Sequence, residues 1–284
     1  MAAALLPIVL WYIGAGLLAA FLAIVGVYVL VDDRAYGAFF GALLFAAGIP
    51  AMLVMHVKQA DRLALRTARA QTLKRGEHAD LQALVARVAG HADLPPPRVA
   101  IIESEAANAL SVGRTPERAV VAVTTGLLRR LTPAELEAVV AHELAHVANR
   151  DGLVMTLVSV PALAGSAMWA SDDWRVKIFF VFYLPVWLVG LLLMWAISRY
   201  REYVADRTAA LITGAPEQLM SALAEIGGKE PHGDLRGGVA IQALCIVPTK
   251  TTGWRRLEVL ADHPPLEKRL ERLEELSRKL GQAG

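Results

Sequence analysis

The chain has a single cysteine, Cys245, among its 284 residues, so no internal disulfide can form. That is the normal condition of a chain exposed to a reducing compartment. No motif surrounds the thiol, which reads as inert. Net charge is equally scarce, at a formal +2. The sequence has no nucleotide-binding glycine loop, no internal repeat and no nucleic-acid signature. Nucleic acid is therefore excluded as a partner.

The most informative absence is local. Residues 5–31 contain no charge, and residues 35–57 contain none apart from His56, which is neutral at pH 7. Each run exceeds the roughly 20 residues needed to cross a hydrocarbon core. No basic residue precedes the first run, and it is too long for a cleaved signal, so it reads as a retained anchor. Residues 153–170, interrupted by Pro161, and residues 178–198 form a second apolar pair. Four spans in two hairpins are expected.

Basic residues orient them. Lys58, Arg62, Arg66, Arg69, Lys74 and Arg75 follow the second run, and Arg199, Arg201 and Arg207 follow the fourth. The positive-inside bias places both termini and the hydrophilic segments in the cytoplasm. The expected organisation is a membrane hairpin (1–57), a first cytoplasmic part (58–151), a second hairpin (152–198) and a second cytoplasmic part (199–284).

Within the first cytoplasmic part, residues 58–89 read as helix, with Gly90 as its end. Three β-like runs follow at 98–102, 107–112 and 119–125, the last two joined by a turn holding Gly113 and Pro116. They predict a small antiparallel sheet, one strand of which must be an edge able to accept an extended peptide. Thr132, Pro133 and Glu135 supply an N-cap, a first-turn proline and a capping-box acid for a helix over 133–149. In the second part, residues 199–211 continue as helix, 217–226 form another, and 240–247 read as a β-like core. An amphipathic helix over 265–280 carries Leu266, Leu270, Leu273, Leu276 and Leu280 on one side.

The helix over 133–149 holds the chemistry. His142 and His146 are four residues apart, so their rings lie one turn apart on one face and can converge on one ion. Glu143 sits beside that ion. The helix is apolar almost all round, through Val139, Val140, Ala141, Leu144, Ala145 and Val147. Buried histidines need partners, and a metal would satisfy them.

A catalytic zinc takes three protein ligands and leaves one position open. A third histidine ten residues after the first, with glycine three after the second, is excluded, because those positions hold Gly152 and Asn149. A glutamate on a second helix, with an aspartate four residues later, is matched by Glu202 and Asp206. Asp206 would accept a hydrogen bond from His142 or His146 and fix that ring.

With these residues the chain resembles the membrane zinc metalloproteases that include bacterial HtpX and the eukaryotic CAAX prenyl proteases. Asn108-Ala109 with Val112-Gly113, residues 124–128, and His263-Pro264 followed by Arg269 are similar to further motifs of that family. The resemblance covers about residues 94–273, and four spans are like the HtpX type. Leu110 and Tyr203 stand where phenylalanine is common in HtpX-type sequences.

The resemblance implies a mainly α membrane protein with a cytoplasmic zincin-like domain. It further implies one zinc on His142, His146 and Glu202, and Glu143 moving a proton between water and leaving amine. His263 and Arg269 would stabilise the oxyanion near the substrate. The strand holding Asn108 and Ala109 would bind the substrate backbone. The expected activity is cleavage of membrane or misfolded proteins at the cytoplasmic side of a bacterial inner membrane. Alternatives are a processing protease for one dedicated, lipidated substrate, and a non-catalytic membrane scaffold with a structural metal.

Overall fold

The computed structural model describes residues 62–227 and 264–283, except 63, 67, 114 and 173. The apolar runs at 5–31 and 35–57, the β-like core at 240–247, Cys245 and His263 lie outside the described residues. Those described fall into two compact units. One lies within Val154–Ala196, the other within Asp61–Leu153 and Ile197–Gly284.

The second unit is built on a four-stranded sheet: β1 (Gln71–Thr72), β2 (Arg98–Ile102), β3 (Ala109–Val112) and β4 (Val120–Thr124), in the order β1-β2-β4-β3. The expected sheet was antiparallel; the observed one is mixed. β3 and β4 pair antiparallel, Ala109 opposite Val123 and Val112 opposite Val120, whereas β2 and β4 run parallel, Arg98 beside Val120. The chain leaves β2, passes the neighbouring position to lay down β3, and turns back so that β4 fills the gap. Because β3 runs opposite to β2 and β4 reverses direction again, β4 lies parallel to β2. β3 is left as one edge, with β1 at the other.

The helix expected over 58–89 is also corrected. Arg69 and His78 adopt positive φ, as does Gly76, and β1 pairs with β2 between them. The first long helix of this unit, α1, is Ala79–His91. Propensity for helix in this stretch is overridden by sheet pairing with a distant segment, a tertiary effect that local pattern cannot register.

β4 is central and covered on both faces, so all five of its residues are buried. Alternate side chains point to opposite faces of a strand. Val121 and Val123 join Val99, Ile101 and the helices in the main core, while Val120 and Ala122 pack with Ile102, Leu110 and Ala68 on the other side.

A short helix, α2 (Thr125–Arg130), follows β4, and the capping box starts α3 (Pro133–Ala148) as expected. Thr132 N donates to Glu135 Oε2 at 2.8 Å, and Glu135 N donates back to Thr132 Oγ1 at 3.3 Å. Leu144 and Val140 of α3 reach the main core alongside Val85, Leu219, Leu223 and Leu273. Val85 lies on α1, Leu219 and Leu223 on α6 (Pro216–Gly227), and Leu273 on α7 (Leu266–Ala283).

Gly126 in α2 is fixed by close approach: a Cβ there would collide with the carbonyl of Glu105. Gly126→Ala is therefore expected to cost about 1–3 kcal/mol, read as a lower melting temperature. A melt unchanged from the parent would contradict the contact.

α4 (Asp151–Ala170) and α5 (Trp174–Thr213) are both long and apolar enough to cross a membrane. α5 runs through the expected end of its span without a break, so an apolar half continues directly into the turn that bears Glu202 and Asp206. In the first unit the two helices meet closely. Trp187 lies against Gly165 where any Cβ would clash, and its Nε1 donates to Ala162 O at 3.2 Å. Tyr183 donates to Pro161 O at 3.2 Å. Small residues that let backbones approach are the usual device of helix pairing in lipid. Phe182 (72% exposed) and Leu192 (57%) are largely uncovered by the described residues.

Candidate metal centre

Three elements of the second unit meet around α3. His142, Glu143 and His146 lie in its buried C-terminal half. Glu202 and Asp206 lie one turn apart on α5, and Arg269 comes from the first turn of α7. All but His146 are buried.

His142 Nε2 and His146 Nε2 are 3.2 Å apart, and each is 3.6 Å from a carboxylate oxygen of Glu202. Ligand atoms about 2.0–2.1 Å from a tetrahedrally bound ion stand roughly 3.3 Å apart. The triangle therefore has the size that one such ion requires.

Hydrogen positions sharpen the point. His142 Nδ1 lies 3.0 Å from Asp206 Oδ1, and His146 Nδ1 lies 2.7 Å from Asp151 Oδ2. Ionised carboxylates only accept, so they favour the tautomer with hydrogen on Nδ1, which in a neutral ring leaves the Nε2 lone pair free for an ion. With both rings neutral, two lone pairs and a carboxylate would face one another. Such a cluster calls for a cation.

The charge count agrees. Buried Glu143, Asp151, Glu202 and Asp206 face buried Arg201 and Arg269. With neutral imidazoles this leaves two negative charges, the amount a divalent ion neutralises. Without the ion the cluster draws in a proton instead. Burial opposes charge on His142, but its hydrogen bonds to Asp206 and Glu202 outweigh that and raise it to about 9.

Glu143 is 1% exposed, and its Oε2 has no hydrogen-bond partner among the described residues. A buried carboxylate oxygen without a partner is costly. Its position one residue from His142 leaves it available to a molecule bound at the centre.

The structure brings together His142, His146 and Glu202 as possible ligands, with Asp206 behind His142. Arg269 lies against the two carboxylates of α5. Its Nε and Nη2 donate to the two oxygens of Asp206 at 2.8 and 2.6 Å, and Nη1 is 3.4 Å from Glu202. It is 2% exposed. The alternative partner of Asp206, Arg207, is exposed.

Asn108 and Ala109 are buried at the start of edge strand β3, which packs against α3. Thr124 Oγ1 accepts from Asn108 N at 2.9 Å and donates to Asn108 O at 3.0 Å while also capping α2. Ala109 N donates to Asn108 Oδ1 at 2.9 Å.

Two members of the cluster escaped the reading of the sequence. Asp151 stands beyond Arg150, whose positive φ turns the chain between α3 and α4. Arg201 reads as one of several cytoplasmic arginines. Their only local signals are an aspartate five residues after His146 and an arginine next to Glu202.

Comparison with known proteins supplies a family. The sequence matches the model of peptidase family M48 over residues 75–277. The chain belongs to peptidase family M48. It is 42% identical over 269 residues to a protein named Protease HtpX homolog from Moorella thermoacetica, covering 85% of this chain and 90% of that one. It is 37% identical to Protease HtpX homolog 2 from Methanosarcina acetivorans, with the same coverage. Among solved structures, S. mikatae Ste24p superposes with a TM-score of 0.48 at 18% identity, covering 92% of this chain and 62% of that one. As an M48 peptidase the chain acts on peptides or proteins, and its His-His-Glu group could hold the family's metal.

Proposed function

We propose that this M48 chain is an integral-membrane zinc endopeptidase that cleaves membrane or misfolded proteins on the cytoplasmic side. The observation that carries the reading is the convergence of His142 Nε2, His146 Nε2 and Glu202 beside Glu143, whose Oε2 has no hydrogen-bond partner among the described residues. Two imidazoles and one carboxylate are a donor set suited to zinc with an open position.

When bound, zinc supplies Lewis acidity, lowering the pKa of water and polarising the scissile carbonyl. The chain's residues do the rest. Glu143 takes the proton from the attacking water and hands it to the leaving amine, and the same carboxylate serves as base and then acid. Asp206 and Asp151 hold the histidine rings. Arg269 holds Asp206, and through it His142, instead of touching substrate. His263 remains the candidate for stabilising the oxyanion. β3, an edge strand packed on α3, supports docking of the substrate as an added strand at Asn108 and Ala109.

Membrane residence rests on α4 and α5, on the lipid-like exposure of Phe182 and Leu192, and on Trp169 and Trp174, both exposed, which flank the polar link between the helices. Tryptophans gather at membrane interfaces. The protease domain would be assembled from 58–151 and 199–284, with both termini cytoplasmic. Glu143 is not needed to hold metal, and its burial beside the centre favours an enzyme over a scaffold.

Purified chain in detergent should cleave casein, stop with a chelator and resume with zinc. Cleavage insensitive to chelator would defeat the reading. Glu202→Ala should lower bound zinc to well below one per chain, by elemental analysis; full occupancy would remove Glu202 as ligand. His142 must release its proton to ligate, so zinc binding at pH 7 should liberate about one proton. Calorimetry in two buffers of different ionisation heat reads that number, and zero release would contradict it.

A further inference from the structure

Each metal-facing histidine is backed twice. Behind His142 stand Asp206 and then Arg269, linked at 3.0 Å and at 2.6 and 2.8 Å. Behind His146 stand Asp151, at 2.7 Å, and then Arg201, whose Nε is 3.1 Å from the same Asp151 oxygen. Asp151 is 5% exposed and Arg201 7%. The two chains of contacts share no residue and come from different turns of α4, α5 and α7.

We propose that Asp151 and Arg201 are positioning residues for the centre, acting through His146; this rests on the zinc reading given above. Asp151 keeps the hydrogen on His146 Nδ1 and so keeps the Nε2 lone pair aimed at the ion. A neutral imidazole has one hydrogen, and if it moved to Nε2 the ligand atom would be lost. Arg201 holds Asp151 in place and offsets the burial of its charge, which would otherwise favour a swing toward solvent.

The pair also explains two features that the ligand set leaves unassigned. Asp151 is the first residue of α4, where the helix dipole favours a carboxylate. Arg201 directly precedes Glu202, so one turn of α5 supplies a ligand to the ion and an anchor to the opposite histidine. His146 is the more exposed of the two rings, 11% at its side chain against 0% for His142. A ring less confined by packing depends more on its hydrogen bond for orientation.

The test uses full-length protein in detergent, with zinc affinity from chelator competition and the visible spectrum of the cobalt-substituted form. Asp151→Ala is expected to weaken zinc binding by about 10–100-fold and to change the cobalt spectrum. Asp151→Asn keeps the shape and an acceptor oxygen, and should fall between, about 3–10-fold weaker. Arg201→Leu should weaken binding more than Arg201→Lys, which retains the charge.

Should the alanine variant fail to fold, the asparagine variant decides: wild-type affinity and spectrum there overturn the proposal. A lower melting temperature of the metal-free variants with unchanged affinity and spectrum also overturns it, since that is a structural role. If the wild type itself binds no zinc, the zinc reading fails, a result distinguishable from failure of the positioning pair.

Discussion

Glu143→Gln is expected to abolish proteolysis while leaving zinc content and melting temperature at wild-type values. The two side chains have nearly the same shape, so the buried site at this 1%-exposed position keeps its packing. Glutamine differs in that its amide cannot take up a proton at neutral pH. Loss of a general base lowers rates by roughly 10²–10⁴-fold, and here the same group also returns the proton to the leaving amine. The fall should therefore lie at or beyond the upper end. Fluorogenic peptide turnover and metal analysis on one preparation check both halves. Cleavage within tenfold of wild type would remove Glu143 from the proton path, because no other described carboxylate near the centre is without a hydrogen-bonded or ion-paired role.

The second large effect is on stability. Arg269→Met should destabilise the metal-free protein by about 3–5 kcal/mol, the usual result of leaving one buried partner of an ion pair without the other. Burial disfavours charge on Arg269, but the adjacent Asp206 and Glu202 outweigh it and hold the guanidinium charged well above its ordinary range. Without that cation, Asp206 keeps only His142 as a partner among the described residues and lies one helical turn from Glu202, a like charge. His142 then loses its orientation as well, so zinc content should drop. Adding Asp206→Asn to Arg269→Met removes the stranded carboxylate and should restore part of the melting temperature without restoring zinc affinity. A wild-type melt and full zinc in Arg269→Met would show that the bidentate contact carries neither stability nor metal binding, and would return Arg269 to the substrate side.

These two variants separate what could be read from the sequence from what could not. The place of Glu143 beside the two histidines was legible because it is local. An α-helix repeats every 3.6 residues, so the spacing of His142, Glu143 and His146 already fixes which side chains share a face. The capping box at Thr132 and Glu135 was legible for the same reason. Glu202 and Asp206 were found by the same four-residue spacing once a third ligand was required.

The fate of Arg269 was not legible. Nothing within a few residues of it signals Asp206, which lies 63 positions earlier in the chain. Charge alone allows a surface residue, a substrate contact or a buried partner, and only packing of α7 against the rest of the second unit selects among them. The same holds for Asp151, whose value depends on Arg201 reaching it from another helix. β1 and the parallel pairing of β2 with β4 escaped as well, since strand partners are chosen by long-range hydrogen bonding and residues 71–72 carry no pattern of their own.

The sequence by itself determined the helix of the candidate centre, the candidate ligand types and their spacing, because helix geometry ties position in the chain to position in space over one or two turns. Only the tertiary structure decided which carboxylate faces which imidazole, that two arginines are buried to hold them, and that the sheet is mixed. Those arrangements are contacts between distant segments, fixed by burial and charge pairing when the helices close around α3.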